Sequence, residues 1–536
     1  MNKKIIIFVI FILGLIGSYR LFRPGYFSMQ DDIHIFRLQQ FDKCVSDFQI
    51  PCRMIPDGGM GYGYPLFNFY PPAPYALAEI FHLVGFSFIN SIKIVFIATS
   101  LIRPLGMFLL SSFFFGPAGG LISAILFALA PYQATNSFVR GAIAENLSLS
   151  LIPFVLWFLL KRRYFLFSIS LSLLALSHNL TLLYALPLLL IFSFSPKQNT
   201  KKTIVYTLLG LVGASFFLIP AFFEKQLTTV NTMTQGYFYF VNHFATLKQL
   251  FINHNDWGYG ASLWGPVDDM SFQIGYLQWI LPAIAVLLII KSKIKNKTFF
   301  IFLFLLGIFC LFLTHNKSTF IWQIVPFLSF YQFPWRFLAP AIFCFSLISG
   351  FLGYKIIAKK YRIIFISLLL TIEIILNFSF FKEDIWYPAL TDQQKLSGEN
   401  LVTQSGAGLK DYWPKYGQNF PLSFAPVTPS VLTGNATIIS FSKISNSATS
   451  TIDVSSENAL VVLPIVYFPN YKVIINENPS SYLIDRNLGL INLDLSTGKN
   501  NIKIIFFNTP IRTISNLISI FSFIGLGLFY IYRHEN

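Results

Sequence analysis

Long apolar runs, separated by short connectors rich in lysine and arginine, recur from one end of this chain to the other. No soluble fold accommodates that pattern, because each run is long enough to approach the thickness of a bilayer core. About twelve candidate spans are expected, near residues 5–22, 91–114, 117–135, 147–160, 164–177, 180–195, 203–222, 274–290, 298–314, 337–354, 363–379 and 514–532. Composition agrees: the 536 residues are 54% hydrophobic and only 12% charged. The formal charge of +16 sits largely in the connectors "KRR" (161–163), "KQNTKK" (197–202), "KSKIKNK" (291–297) and "KIIAKKYR" (355–362), with Lys3 and Lys4 at the start. With these on one side, the positive-inside rule makes that side cytoplasmic and puts both termini there. The basic charge is thereby assigned to membrane anchoring and not to nucleic acid.

The opposite, outer side then carries all the large hydrophilic material: a loop 23–90, a loop 223–273, an aromatic stretch 315–336 and a block 380–513. The segment 71–86 is apolar but short and holds Glu79 and His82. Counting it as a span would invert every later loop, so it is expected on the outer surface or as a re-entrant piece. "SHN" (177–179) breaks 164–195 into a hairpin whose tip points outward. In the last block, "ATIISFS", "STIDVSS", "YKVIINENP" and "GKNNIKIIFF" alternate apolar and polar residues between Asn, Gly and Pro breaks, as strands of an antiparallel β-sandwich do. The expected fold is therefore a mainly α, polytopic helical bundle. It has a transmembrane domain over 1–379, a mostly β domain over 380–513, and a last span with a short tail over 514–536. There is no internal repeat of the transporter kind.

Cys44 and Cys52 share the first loop. On one continuous helix they would lie about 12 Å apart, too far for a bridge unless the chain turned back around 47–51, so free thiols are the expectation. Arg103 and Glu373 each fall inside a candidate span. Mid-membrane charge costs about 2.5 to 3.5 kcal/mol, and pairing with each other is the simplest relief.

The chain has no Gly-rich phosphate cradle, and its cytoplasmic loops are too small to hold a nucleotide. An outward-facing enzyme would need its activated group delivered on lipid, as on a polyprenyl-phosphate sugar. The stretch "SMQDDIHIFRLQQF" places Asp31 and Asp32 just after the first span. Beyond them, Ile33, Phe36, Phe41, Val45 and Phe48 favour one helical face and Arg37, Gln40, Lys43 and Asp47 the other, which reads as an amphipathic helix lying in the interface. At its N-terminus the acids would cap free N–H groups, but two exceed what one cap needs. Glycosyl transfer from a lipid phosphate requires one carboxylate to take the acceptor's proton and cations to hold the phosphate. Arg140, His178 and Arg336, each near the outer mouth of a span, are the candidate cations. "GYGYPLFNFYPP", with Tyr64 and Tyr70, fits an interfacial loop and a sugar-stacking wall equally.

The Asp-bearing first loop, "GMGYGYPLFNFYPPAPY" (59–75), "VRGAIAENL", "LSHNL" and "YQFPWRFLAP" (331–340) together resemble the bacterial 6-pyruvoyl-tetrahydropterin synthase-related membrane proteins. That family is similar to YfhO-type proteins and to the GT-C class of integral-membrane glycosyltransferases. "VYFPNYKVIINENP" (466–479) and "LDLSTGKNNIKIIFF" (493–507) resemble the outer sandwich of YfhO-type proteins, and no pterin chemistry is implied. The resemblance implies a catalytic acid at Asp31 or Asp32 and a second acidic position at Glu145. Some GT-C members hold a divalent metal between such carboxylates and others hold none; here the metal candidates are Asp31, His34 and Glu145, and the second loop offers one Glu in place of an Asp-X-Asp.

The expected activity is transfer of a sugar from a polyprenyl-phosphate donor to an envelope glycan or protein on the outer face of a bacterial cytoplasmic membrane. The alternatives are a transporter or flippase of lipid-linked glycans, and a non-catalytic scaffold that binds envelope glycan.

Overall fold

The computed structural model describes residues 3–194, 199–252, 257–265, 268–354 and 359–535. Parts of two basic connectors used to orient the chain, 197–198 and 355–358, lie outside the described residues. Helices dominate up to residue 412, strands run from 430 to 506, and a final helix Pro510–Glu535 closes the chain.

The protein is a multi-pass membrane protein by the length and composition of its helices. Among the described residues, five are long and apolar enough to cross a membrane: Phe88–Ala128, Ile143–Leu160, Pro334–Gly353, Arg362–Phe380 and Pro510–Leu528. The number rises to seven if two bent pairs each count as one span, Thr200–Gly213 with Ser215–Phe223 (73°) and Lys297–Leu313 with Asn316–Ile324 (96°). The expectation of about twelve exceeds this for two reasons. Lys3–Ile16, at the expected span 5–22, has only 14 residues, and Tyr164–Ser177, Asn179–Ser193 and Tyr276–Lys291 are apolar but shorter. In addition, Phe88–Ala128 holds two of the expected spans, broken at Gly116, whose φ of 69° is non-helical. That left-handed backbone suits glycine, and Pro117 then starts the second arm. The arms lie against each other, with the Ser111 and Ser123 hydroxyls 2.7 Å apart.

The two ionisable residues within spans do not pair. Arg103 donates to Asn146 Oδ1 at 2.8 Å, whereas Glu373 accepts from Gln278 Nε2 at 3.0 Å and Asn377 Nδ2 at 2.6 Å. Amide side chains on neighbouring turns and helices give each group local partners, though Arg103 Nε and Glu373 Oε1 have no hydrogen-bond partner among the described residues.

The strands are joined in one seven-stranded antiparallel sheet. Its backbone is a pair of long strands, Ser447–Val466 and Leu490–Phe506, which change partners along their length. Ala436–Lys443 pairs with the first half of Ser447–Val466 and Ser430–Thr433 with the second. Register shifts between Val454 and Asn458 and between Val462 and Val466 bend the sheet where the partners change. One face buries Ile452, Val454, Val461, Leu463, Leu493, Leu495, Ile502 and Ile504, the period-two set legible in the sequence.

The β unit sits on the first loop. Val466 N–H donates to Tyr62 O at 2.9 Å, Lys443 Nζ to Gly61 O at 2.5 Å, and Ser445 N–H to Asp47 Oδ2 at 2.7 Å. Farther back, Tyr26–Phe27 pairs antiparallel with Trp386–Tyr387. A salt-bridge knot fixes the same corner: the Glu383 carboxylate holds Arg20 at 2.6 Å and Arg23 at 2.5 Å.

Two first-loop expectations are corrected. Cys44 and Cys52 are bridged, with Cα atoms 5.4 Å apart. The helix His34–Ser46 ends before the second cysteine, the chain reverses at Phe48 (φ 56°), and the Gln49 side chain holds the return by accepting from the N–H groups of Arg53 and Met54 at 2.6 and 2.8 Å. The helix itself is no interfacial amphipath. Part of its polar face is covered: Arg37 lies 4.1 Å from the Tyr70 ring centroid, and fully buried Gln40 donates to Asp57 at 2.7 Å, while Lys43 stays partly exposed.

Candidate functional site

The acids at 31 and 32 do not cap the helix that follows. Ile33 occupies the capping position and has no side-chain oxygen to offer, and the first-turn N–H of Phe36 is met instead by Gln404 Oε1 at 3.3 Å. Their placement comes from main-chain pairing with a distant segment: Gln30 N–H donates to Val139 O at 3.0 Å and Asp31 N–H to Arg140 O at 2.9 Å. The partner segment leaves the α-helical path in a wider, π-type turn over Thr135–Val139, a local irregularity often found at functional sites. Gly141 follows with φ 67°, and a Cβ there would fall 2.2 Å from Met29 Sδ. Both the backbone conformation and the close approach of the 29–31 segment therefore require glycine.

His34 locks the same junction. Its Nε2 meets Gly141 O at 2.5 Å and its Nδ1 meets Tyr75 OH at 3.0 Å. Burial, the largest influence, holds this imidazole below its ordinary pKa, so the ring is neutral, Nε2–H donates to the carbonyl, and the Tyr75 hydroxyl donates to Nδ1. Both nitrogens are thus committed, and His34 has no lone pair for a metal. Among the described residues no group of three or more His, Cys, Asp or Glu side chains is arranged to hold one. The proposed set Asp31, His34 and Glu145 is not assembled as a metal centre.

Glu145 stands in the first turn of Ile143–Leu160 and is buried. Its Oε2 lies 2.8 Å from Arg140 Nη1 and 3.5 Å from Arg336 Nε, and its Oε1 accepts from Tyr132 OH at 3.1 Å. Both oxygens are occupied, so this carboxylate holds the two arginines together. Arg140 also donates to Asn136 Oδ1 and stacks 4.6 Å from the Trp335 ring centroid. Burial opposes the Arg140 charge, and Glu145, Tyr132 and Asp31 outweigh it, raising the pKa of its guanidinium. Arg336 donates from Nη1 to Tyr331 O at 2.8 Å and Gln332 Oε1 at 3.2 Å, while its Nε has no hydrogen-bond partner among the described residues.

His178 does what a helix-breaking histidine does. Its Nδ1 caps Asn179–Ser193, accepting from Thr181 N–H at 3.3 Å, while the ring lies in the field of Glu145, Arg336 and Arg140. Of the two tyrosines, Tyr64 is buried and spent on structure: its OH donates to Gly408 O at 2.6 Å and accepts from Tyr412 N–H at 2.8 Å. Tyr70 is half-buried under the Arg37 guanidinium.

The two aspartates part company. Asp32 Oδ2 lies 2.5 Å from Lys395 Nζ. The Asp31 side chain accepts no hydrogen bond and joins no ion pair among the described residues, yet it acts electrostatically on Arg37, Arg140 and Arg336. Asp411 closes the arrangement from the C-terminal block. Burial, with Asp31 adding to it and Arg37 opposing, pushes its carboxyl up to about 6. Arg37, Lys395 and Asp411 are the members that sequence reasoning missed as site residues. No motif marks the lysine, which meets Asp32 across 363 positions, and Arg37 carried only a helical-face signal.

No family model matches the chain, and no curated protein matches its sequence. Among solved structures, the cryo-EM structure of the arabinofuranosyltransferase AftD from Mycobacteria is similar over 73% of this chain at 12% identity, with a TM-score of 0.44. The match spans 28% of that protein's length.

Proposed function

We propose that this protein is a membrane glycosyltransferase that takes its sugar from a polyprenyl-phosphate donor and hands it to an envelope acceptor on the outer face. The observation that carries the reading is the convergence of an uncommitted carboxylate, Asp31, with the Arg140–Glu145–Arg336 cluster through the 2.9 Å hydrogen bond from Asp31 N–H to Arg140 O. The Cys44–Cys52 bridge supports an outer location for this loop, since disulfides persist in oxidising compartments.

In this reading Arg140 and Arg336 bind the donor phosphate. Glu145 is a positioning residue that keeps both guanidinium groups in place without approaching the sugar. The acceptor hydroxyl gives its proton to the Asp31 carboxylate as its oxygen bonds to the anomeric carbon. The bond from that carbon to the phosphate oxygen breaks, and its electron pair leaves on polyprenyl phosphate, whose charge the arginines already face. Asp32, tied to Lys395, orients the loop.

The test is sugar transfer from a polyprenyl-phosphate donor by purified protein in liposomes. Asp31→Asn lowers the rate about a hundredfold or more while leaving binding of polyprenyl monophosphate intact, and Asp32→Asn retains most activity. Equal transfer by Asp31→Asn and the parent would sink the proposal.

A further inference from the structure

Beside the cluster lies an open cleft of about 940 Å³, lined by residues from 246–249, 257–260, 264–265 and 268–272, with Asp384. Its lining combines aromatic faces with hydrogen-bond acceptors. Trp257, Tyr259 and Trp264 supply the rings, and Asp268, Asp269 and Asp384 the carboxylates. Trp264 is 40% exposed, so its indole offers a face to a ligand. Trp257 stacks on Phe380 with centroids 4.3 Å apart, and its indole N–H is buried without a hydrogen-bond partner among the described residues. A donor left unpaired in this way costs stability unless something meets it.

The cleft shares a wall with the site described above. Gln30, next to Asp31 in the chain, donates from Nε2 to Gly260 O at 2.7 Å. Phe272, another lining residue, stacks 5.2 Å from Trp335, the ring that lies under Arg140. Charge separates the two neighbours sharply. The cluster presents arginines, whereas the cleft lining carries three aspartates against one lysine, Lys248, among the described residues.

Resting on the glycosyltransferase reading, we infer that this cleft is the acceptor subsite and that the acceptor is a neutral or amine-bearing oligosaccharide. Sugar rings present C–H faces that pack on indole and hydroxyls that donate to carboxylates. The volume lies near the upper end of small-ligand sites and suits several rings in place of one. Like charge excludes phosphate and uronate groups from the cleft, leaving the donor phosphate to the arginines. A chain entering along the cleft brings its terminal hydroxyl toward Asp31.

The experiment is direct binding to the full-length protein in detergent, followed by tryptophan fluorescence and calorimetry. Three probes of matched length are used: a mannan oligosaccharide, a chitosan oligosaccharide and an oligogalacturonate. The first two bind, chitosan more tightly, and the third does not. Trp264→Ala weakens binding about tenfold, and Asp269→Asn/Asp384→Asn removes the advantage of chitosan over mannan. Failure of the mannan and chitosan probes to bind, or affinities that these variants leave unchanged, overturns the inference. Polyprenyl monophosphate binding, measured on the same preparation, separates the two readings. If it binds while the oligosaccharides do not, only the cleft assignment falls. If the oligosaccharides bind and it does not, the cleft stands and the lipid-donor reading falls.

Discussion

Asp31 and Arg140 are joined through their backbones, the N–H of the acid donating to the carbonyl of the arginine at 2.9 Å. A hydrogen bond between main chains fixes the spacing of the two residues without spending either side chain. The carboxylate stays available for a proton, and the guanidinium is fixed by Glu145 instead. In the proposed mechanism, positioning and chemistry would thereby be divided between different atoms of the same two residues.

Gly141 is the joint that permits this pairing. Gly141→Ala would place a methyl group on Met29 Sδ and force a non-glycine residue into left-handed backbone. The expected cost is about 1–3 kcal/mol, read as a lowered thermal midpoint, together with loss of sugar transfer because the 29–31 segment moves away from Arg140. A variant that keeps both would show that the joint is dispensable.

Glu145→Gln keeps the shape of the side chain and removes the charge shared by Arg140 and Arg336. Breaking a buried ion pair by neutralising one partner costs about 3–5 kcal/mol, so the midpoint of unfolding should fall clearly. Added polyprenyl monophosphate should restore part of the loss, since a phosphate supplies the missing counter-charge. No recovery on adding the lipid would argue that the arginines do not face a phosphate site.

The Glu383 knot gives a pH signature. Burial works to raise this carboxyl, and the hydrogen bonds from Arg20 and Arg23 outweigh it, so its folded-state pKa lies below the ordinary value near 4.5. A depressed carboxylate contributes stability above its unfolded pKa and loses it as pH falls through the folded one. Acid titration of unfolding should therefore show a loss below about pH 4.5 that Glu383→Gln flattens. Identical acid profiles for variant and parent would remove the knot from the stability of the first loop.

Some of this was legible in the sequence and some was not, for identifiable reasons. The break at Gly116–Pro117 and the hairpin at "SHN" were readable because glycine, proline and a polar triplet act locally. The strands of the last block were readable because alternation marks a half-buried sheet. The role of the paired aspartates was not: capping depends on the backbone geometry at Ile33, and the fate of Asp32 depends on Lys395 in a different part of the chain. The Cys44–Cys52 bridge failed for a related reason, because the reversal that brings the cysteines together is held by the side chain of Gln49. Pairing Arg103 with Glu373 overlooked Asn146, Gln278 and Asn377, amides that partner these buried groups with no sequence signal of their own.

The most direct measurement is a cryo-EM structure of the protein in lipid nanodiscs with a polyprenyl monophosphate added. Density for the phosphate should lie within hydrogen-bonding distance of Arg140 and Arg336, on the side that faces the Asp31 carboxylate. Phosphate density found away from these arginines, with their contacts to Glu145 unchanged and Asp31 facing bulk water, would contradict a lipid-phosphate site there.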